Sequence, residues 1–152
     1  MMERIEKILI NSPQEMVDFG YKLGKELQPN MVITLEGDLG AGKTTMTKGI
    51  AKGLEIEDVV NSPTFTIMKI YQGRLTLYHL DVYRLNNDSG DEYLEEYFYM
   101  GGVSVIEWAN NMSDIIPEDR LEINVYNIDE HTREIELTAR SEKYIKLIES
   151  VL

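Results

Sequence analysis

The stretch from Gly37 to Thr44 constrains the fold more than any other feature of the chain. It reads Gly-Asp-Leu-Gly-Ala-Gly-Lys-Thr and fits the pattern G-x-x-x-x-G-K-[ST], with an apolar run before it. Glycines let such a loop wrap so that successive backbone N–H groups point inward at an anion, because a Cβ at those positions would block a phosphate or strain the backbone. The sequence therefore predicts a strand, a phosphate-binding loop and a helix in succession, and a bound nucleotide.

The residues of this loop have distinct expected roles. Lys43 supplies a positive charge to the β- and γ-phosphates, and the hydroxyl of Thr44 suits Mg²⁺. The N-terminus of the following helix adds its partial positive charge, and Thr45 is expected to contact an inner phosphate. The predicted nucleotide-binding residues are Gly37, Gly40, Ala41, Gly42, Lys43, Thr44 and Thr45.

Composition limits the remaining possibilities. With 152 residues, of which 43% are hydrophobic, the chain is expected to form a single domain over residues 1–152. The chain contains no cysteine and only two histidines, which disfavours a zinc site and leaves a hard ion held by oxygens. A net charge of −12 disfavours direct binding to a phosphate backbone over most of the surface. No apolar run approaches the roughly 18 residues that span a bilayer, and acidic residues at the N-terminus disfavour a signal peptide, so we expect a cytoplasmic protein that does not contact membranes.

Hydrophobic periodicity predicts strands that alternate with helices. Helices are expected from Pro13, with Ser12 as its cap, from Lys43, around Glu92 and through Tyr144, and the third is expected to open with a capping box of Ser89 and Glu92. Strands are expected at 5–10, 31–37, 65–71, 74–84 and 101–108, with an antiparallel hairpin within 120–140. This pattern indicates an α/β fold, a P-loop NTPase-like mostly parallel sheet with helices on both faces and an antiparallel C-terminal hairpin.

Hydrolysis of a bound nucleotide needs an acidic group beyond the loop, and two carboxylates are candidates. Glu107 ends a buried run at its carboxyl end, where open α/β sheets bind ligands. Asp81 shares a strand face with His79 by period-2 alternation. Each has a structural alternative, since Asp81 could pair with Arg84 or His79 and Glu107 could open a helix. The sequence favours His79 as a structural residue.

Two further residues carry open alternatives. Thr64 lies in the segment Asn-Ser-Pro-Thr-Phe, where switch-like loops of such enzymes supply a hydroxyl to the metal and γ-phosphate, although a simple connecting turn fits equally well. Trp108 directly follows Glu107 and could belong to the core or face the nucleotide or a partner. No Asn-Lys-x-Asp or Asp-x-x-Gly motif occurs, which favours adenine over guanine, and the scattered arginines do not indicate a phosphoryl-clamping lid.

Four separated blocks, "LEGDLGAGKTT", "NSPTFTI", "LYHLDVYR" and "VIEWA", together resemble the TsaE (YjeE) family of small bacterial ATPases in tRNA threonylcarbamoyladenosine synthesis. The resemblance implies ATP and Mg²⁺ as ligands and a role with the TsaD and TsaB proteins, which modify adenosine 37 of tRNA and carry the contact to tRNA. It implies that Lys43 binds phosphate and that Thr44 and Glu107 serve the metal. It further implies catalytic roles for Lys43, Thr64, Asp81, Glu107 and Trp108.

Other functions remain open from the residues alone. A stand-alone kinase for a small metabolite fits the loop and the small size, and a nucleotide-gated binding module without useful catalysis fits the loop alone. The adenine pocket carries no sequence signal of its own. Its residues could come from 11–12 or from the turn at 129–133.

Overall fold

The chain forms one seven-stranded sheet in a computed structural model, which describes residues 2–38, 40–63 and 67–152. In chain order, the strands are β1 (Arg4–Ile10), β2 (Val32–Gly37), β3 (Met68–Tyr71), β4 (Leu77–Asp81), β5 (Val103–Glu107), β6 (Leu121–Asn127) and β7 (Arg133–Ala139). Their order across the sheet is β1-β7-β6-β2-β5-β4-β3.

The centre of the sheet is parallel and both edges are antiparallel. Strands β6, β2, β5 and β4 pair in parallel, while β7 runs against β6, β1 against β7 and β3 against β4. This arrangement confirms the predicted fold class. The C-terminal hairpin reaches the centre of the sheet because its strand β6 pairs with β2. The β6 side chains of Leu121, Ile123 and Val125 are fully or nearly buried there.

In the described part of the chain, three α-helices and two short 3-10 helices surround the sheet. The α-helices are α1 (Pro13–Glu26), α2 (Lys43–Gly53) and α3 (Glu142–Val151), and the 3-10 helices are Glu92–Tyr99 and Ala109–Met112. The predicted cap of α1 is confirmed, since the Ser12 hydroxyl accepts from the backbone N–H of Glu15 at 3.1 Å. The predicted capping box at Ser89 is wrong, because its hydroxyl donates to the Asn86 carbonyl instead and the helix begins after Asp91.

Each face of the sheet has its own apolar core. One face packs against the three α-helices, where Met16, Leu23, Ile50 and Ile148 are buried. The opposite face is covered over β2, β4 and β5 by the two 3-10 helices, through Leu94, Phe98, Ala109 and Met112. Apolar residues on both sides of β5 explain why its sequence is a continuous hydrophobic run.

Helices α1 and α2 approach so closely that only glycine fits at their contact. A Cβ added at Gly20 would collide with the carbonyl oxygen of Met46, and one added at Gly49 would collide with the carbonyl oxygen of Val17. Because α2 begins within the phosphate-loop motif, this contact fixes the position of the loop relative to α1. The backbone approach therefore depends on the absence of side chains at these two positions.

The C-terminal helix is tied to the central strand by one buried hydrogen bond. The backbone N–H of Val32 donates to the Tyr144 hydroxyl at 2.8 Å, and burial raises the pKa of Tyr144 to about 12. Burial favours the neutral form of the hydroxyl, which serves as a buried acceptor without introducing a charge. Within residues 2–38, 40–63 and 67–152, no helix has the length and apolar character needed to cross a membrane.

Candidate functional site

The glycine-rich loop connects β2 to α2 at the carboxyl end of the central strand. Gly40 and Gly42 adopt left-handed backbone angles, with φ of 79° and 108°. Side chains other than glycine are strained in that region, so the motif glycines are explained by the backbone itself. The Ala41 N–H donates to the Asp38 carbonyl at 3.1 Å and closes a turn within the loop. The predicted succession of strand, loop and helix is confirmed.

Lys43 lies buried at the start of α2, with 5% of its side chain exposed. Its Nζ is 3.8 Å from Oε1 of Glu107 and 4.2 Å from the centroid of the Trp108 ring. In the described part of the chain no acceptor completes a hydrogen bond to this Nζ. A buried ammonium group without an acceptor is unfavourable, and an anion such as a phosphate would supply that acceptor.

Glu107 stands at the centre of a buried polar cluster. Its Oε2 is 2.8 Å from Nε2 of His79, and the two side chains are 5% and 0% exposed. Its Oε1 faces Lys43. The carboxylate therefore lies between the loop lysine and a buried histidine, at the carboxyl end of β5.

Asp81 is brought beside Glu107 by the parallel pairing of β4 and β5, in which the two residues are direct partners. Its Oδ1 accepts from the backbone N–H of Tyr83 at 3.1 Å. Burial raises the pKa of Asp81, the Tyr83 N–H opposes the rise, and the negative charge of Glu107 adds to it. Two carboxylates side by side near one lysine form an acidic end to the sheet that suits a cation.

Trp108 turns away from the strand and covers Lys43. Its backbone lies in the left-handed region at φ 62°, which is uncommon for a bulky residue. The ring packs edge to face against Tyr83, with centroids 4.9 Å apart and an interplanar angle of 61°. The ammonium group of Lys43 lies over the ring within cation–π distance. The structure therefore places this tryptophan against Lys43 rather than within the core alone.

The remaining predicted site residues have the following positions. Thr44 and Thr45 occupy the first turn of α2 and are partly exposed, while Ala41 is buried and Gly37 is partly buried at the end of β2. Thr64 lies outside the described residues, so its role stays a prediction. The structure thus brings together the loop, Lys43, Asp81, Glu107 and Trp108.

A cleft of about 380 Å³ adjoins the loop on the side away from Glu107's strand. Its walls come from both segments that the sequence left open for the adenine pocket, through Asn11, Ser12, Glu130, His131 and Arg133, and from the loop itself through Gly42 and Thr45. The turn is held by Asp129, whose Oδ1 accepts from the backbone N–H groups of His131 and Thr132 at 2.8 Å each. A volume of this order matches small-molecule pockets in proteins.

His79 is the member of the cluster that the sequence analysis interpreted as structural. It is fully buried and contacts Glu107 directly, so it belongs to the site. A signal was present in the sequence, because residues two apart on a strand share a face and His79 is two residues before Asp81. What the sequence alone could not supply was the parallel pairing of β4 with β5, which brings Glu107 to that same face.

The oxygen donors at the site fit Mg²⁺. The hydroxyl of Thr44 and the carboxylates of Glu107 and Asp81 are hard ligands of the type that Mg²⁺ prefers. The described residues include no group of three or more histidine, cysteine, aspartate or glutamate side chains arranged to hold a metal on their own. A magnesium ion at this end of the sheet would therefore also depend on phosphate oxygens and water, as it commonly does beside nucleotides.

Comparisons with known proteins agree with this architecture. Residues 10–135 match the family model described as threonylcarbamoyl adenosine biosynthesis protein TsaE. The tRNA threonylcarbamoyladenosine biosynthesis protein TsaE of Bacillus subtilis (strain 168) is 50% identical over 125 residues, covering 82% of this chain and 79% of that protein. The protein of the same name from Treponema pallidum is 42% identical over 126 residues, covering 82% and 93%. The crystal structure of Bacillus subtilis YdiB superposes with a TM-score of 0.87 at 40% identity, covering 99% of this chain and 96% of that one.

Proposed function

The chain belongs to the TsaE family of tRNA threonylcarbamoyladenosine biosynthesis, and we propose that it is the ATP-binding and Mg²⁺-dependent ATP-hydrolysing component of that system. We further propose that it acts with a TsaD–TsaB complex, which performs the transfer to adenosine 37. The observation that carries the proposal is the buried Nζ of Lys43 at the glycine-rich loop, which faces Glu107 and Trp108 and has no described acceptor.

Nucleotide binding follows from the loop and its neighbouring cleft. Backbone N–H groups of the loop and the N-terminus of α2 would face the phosphates, with Lys43 as the point charge. The cleft beside Gly42 and Thr45 would hold the base and ribose, because it adjoins the loop at the inner-phosphate end. The phosphates would thus extend toward Glu107, and the base would lie near the β6–β7 turn.

Hydrolysis would use the acidic end of the sheet. Mg²⁺, when bound, neutralises phosphate charge and orients the terminal phosphate for attack by water. Thr44 and Glu107 would hold that ion, directly or through its water ligands, and Asp81 would add negative charge beside them. Trp108 would cover the phosphate lysine and limit the access of bulk water, since its ring lies over Nζ.

A partner complex is consistent with the charge of the chain. A net charge of −12 opposes close approach to a tRNA backbone, so contact with tRNA would pass through the partner proteins. Tyr83 is an aromatic residue beside the site and is 59% exposed. Exposed aromatic residues are enriched where proteins bind each other, and Tyr83 contacts Trp108 directly.

The proposal is tested by measuring phosphate release from ATP with the chain alone and with the TsaD and TsaB proteins of the same organism. We expect slow release by the chain alone and a clear increase with the partners. Formation of threonylcarbamoyladenosine over repeated turnovers should require the chain and ATP. Unchanged release in the presence of both partners, or modification that proceeds equally without the chain, would overturn the proposal.

Glu107→Gln separates binding from hydrolysis in the same assay. The change keeps the size of the side chain and removes the negative charge, so we expect ATP still to bind while release falls by about 100-fold. Binding can be followed by the fluorescence of Trp108, the only tryptophan in the chain. Glu118→Gln, which removes one charge from an exposed position, is the matched control and should behave as the unaltered protein. Transfer of the γ-phosphate to a metabolite instead of water would favour a kinase.

A further inference from the structure

We propose that His79 is a positioning residue that holds the Glu107 carboxylate in its working orientation by donating a hydrogen bond from Nε2. The inference rests on the proposed function, because it assigns to His79 a role in hydrolysis through Glu107. The contact on which it stands is a separation of 2.8 Å between His79 Nε2 and Glu107 Oε2. Both side chains are buried, at 0% and 5% exposure, so the bond is shielded from bulk solvent.

The direction of the hydrogen bond follows from its surroundings. An ionised carboxylate has only acceptors, so the proton between the two atoms belongs to His79 Nε2. The other ring nitrogen, Nδ1, is buried and has no hydrogen-bond partner among the described residues. A proton on Nδ1 would be a buried donor without an acceptor, which is unfavourable. The arrangement therefore favours the tautomer with its proton on Nε2.

The two oxygens of Glu107 have different neighbours, and this difference gives the hydrogen bond a function. Oε2 is fixed by His79, while Oε1 faces Lys43 at 3.8 Å, too far for a hydrogen bond. Fixing one oxygen restricts rotation of the carboxylate and leaves the other directed at the loop lysine. Oε1 then needs little reorganisation to meet a metal ion or its water ligand, which is the condition for efficient electrostatic catalysis.

A positioning role also distinguishes His79 from an ordinary buried polar residue. The strand pair β4–β5 already has its backbone hydrogen bonds and a full apolar core, with Leu77, Val103 and Val105 all 0% exposed. A histidine adds a polar group to this interior that an apolar side chain would not, and its described hydrogen bond is to Glu107 alone. The side chain is therefore directed to the site rather than to the support of the sheet.

Two amide substitutions test the assignment as a matched pair. Gln in His79→Gln can place an N–H donor near the position of Nε2, whereas Asn in His79→Asn is shorter and places it near Nδ1. At saturating ATP and Mg²⁺ we expect His79→Asn to lower kcat by about 10- to 100-fold, with little change in nucleotide affinity measured by Trp108 fluorescence. His79→Gln should retain most of the activity.

Loss of folding is controlled separately. Leu80→Ala alters the same strand on its opposite face, where Leu80 is 1% exposed and belongs to the other core. It should lower the thermal midpoint as much as His79→Asn or more, yet keep kcat at temperatures where the protein is folded. Equal activity of the Asn and Gln variants, with both folded, would overturn the inference. The inference would also be overturned if folded Leu80→Ala lost as much kcat as His79→Asn, because loss of stability would then explain both losses.

A spectroscopic measurement tests the hydrogen bond without relying on hydrolysis. In ¹⁵N-labelled protein, His79 should show a protonated Nε2 and an unprotonated Nδ1, with an imidazole proton that exchanges slowly. Glu107→Gln should shift that proton signal. A proton on Nδ1, or an Nε2–H signal unaffected by Glu107→Gln, would overturn the positioning role. Failure of the proposed function alone would instead leave this signal intact while the unaltered chain released no phosphate with its partners.

Discussion

Two clusters of ionisable side chains, one buried and one at the surface, differ in how much each side chain is expected to contribute to binding and stability. The buried cluster consists of Lys43, His79 and Glu107, whose side chains are 0–5% exposed. The surface cluster consists of Arg120, Glu122 and Arg140, whose side chains are 21–44% exposed. The surface pairs are the closer ones, since Glu122 Oε1 lies 2.7 Å from both arginines, whereas Lys43 and Glu107 are 3.8 Å apart.

The comparison shows that distance alone does not indicate importance. A surface ion pair is held in water, where each partner loses little when the other is removed. In the buried cluster each charge has given up its hydration, so removal of one partner leaves the other poorly compensated. In addition, Lys43 Nζ has no hydrogen-bond acceptor among the described residues. Within the buried cluster the Lys43–Glu107 contact is the long one, so under the proposed function it is the contact that would be exchanged for a ligand.

The largest expected effect is on nucleotide binding and comes from the buried cluster. Lys43→Ala removes a charge-assisted contact to the phosphates, so ATP affinity should fall by about 1.5–3 kcal/mol, measured by calorimetry. Lys48→Ala is the matched control, because Lys48 lies on the same helix and is exposed. The affinity of Lys48→Ala for ATP should equal that of the unaltered protein. Equal affinity of Lys43→Ala and the unaltered protein would show that the loop does not bind phosphate as argued.

The second effect concerns stability and comes from Asp81, beside the buried cluster. Burial raises the pKa of Asp81 above its ordinary value of 3.8, and the charge of Glu107 adds to the rise. Between 3.8 and the raised value, the folded chain holds a proton that the unfolded chain has lost. Stability from this group is therefore present at low pH and is lost as pH rises through the folded pKa.

Asp81→Asn should remove the loss of stability that ionisation of Asp81 causes as pH rises. The amide oxygen can still accept from the Tyr83 N–H, so the local turn should remain. We expect a higher free energy of unfolding at pH 7 and a shallower fall in stability as pH rises from about 4, measured by urea denaturation at several pH values. Phosphate release should fall at the same time. Lower stability of Asp81→Asn at neutral pH would contradict the assignment of burial as the dominant influence.

Local sequence signals predicted most of the elements and the loop. Residues 37–44 combine a motif with its required flanking strand and helix, and each is determined by neighbours in the sequence. The alternation of β6 and β7 and the cap at Ser12 are equally local. For the same reason Glu107 could be recognised as a strand-end carboxylate before its neighbours were known.

The parts that escaped prediction depend on pairing between distant segments. The contact of His79 with Glu107 spans 28 residues and requires β4 and β5 to be neighbours in register. The cleft also joins distant segments, residues 11–13 and the turn near Glu130. The sequence offered both segments as alternatives but did not indicate that they form one pocket. At Ser89 a local rule failed because a competing turn at Asn86 took the hydroxyl. Sequence periodicity predicts on which face of a strand a side chain lies, but it does not identify the residue of another strand that the side chain contacts.

The smallest expected effect comes from the surface cluster. Arg140 donates to Glu122 at 2.7 Å and to Glu3 at 3.3 Å, yet 44% of its side chain is exposed. Arg140→Gln should therefore change the free energy of unfolding by less than about 1 kcal/mol and leave ATP affinity unchanged. The difference should shrink further in 1 M salt, where the screening length falls to about 3 Å.

Arg120 provides the contrast, because its side chain is 22% exposed and also donates to the Pro117 carbonyl at 2.8 Å. Arg120→Gln should therefore lower the free energy of unfolding more than Arg140→Gln does. A loss for Arg140→Gln as large as the binding loss of Lys43→Ala would contradict the claim that burial, rather than distance, sets the value of these pairs.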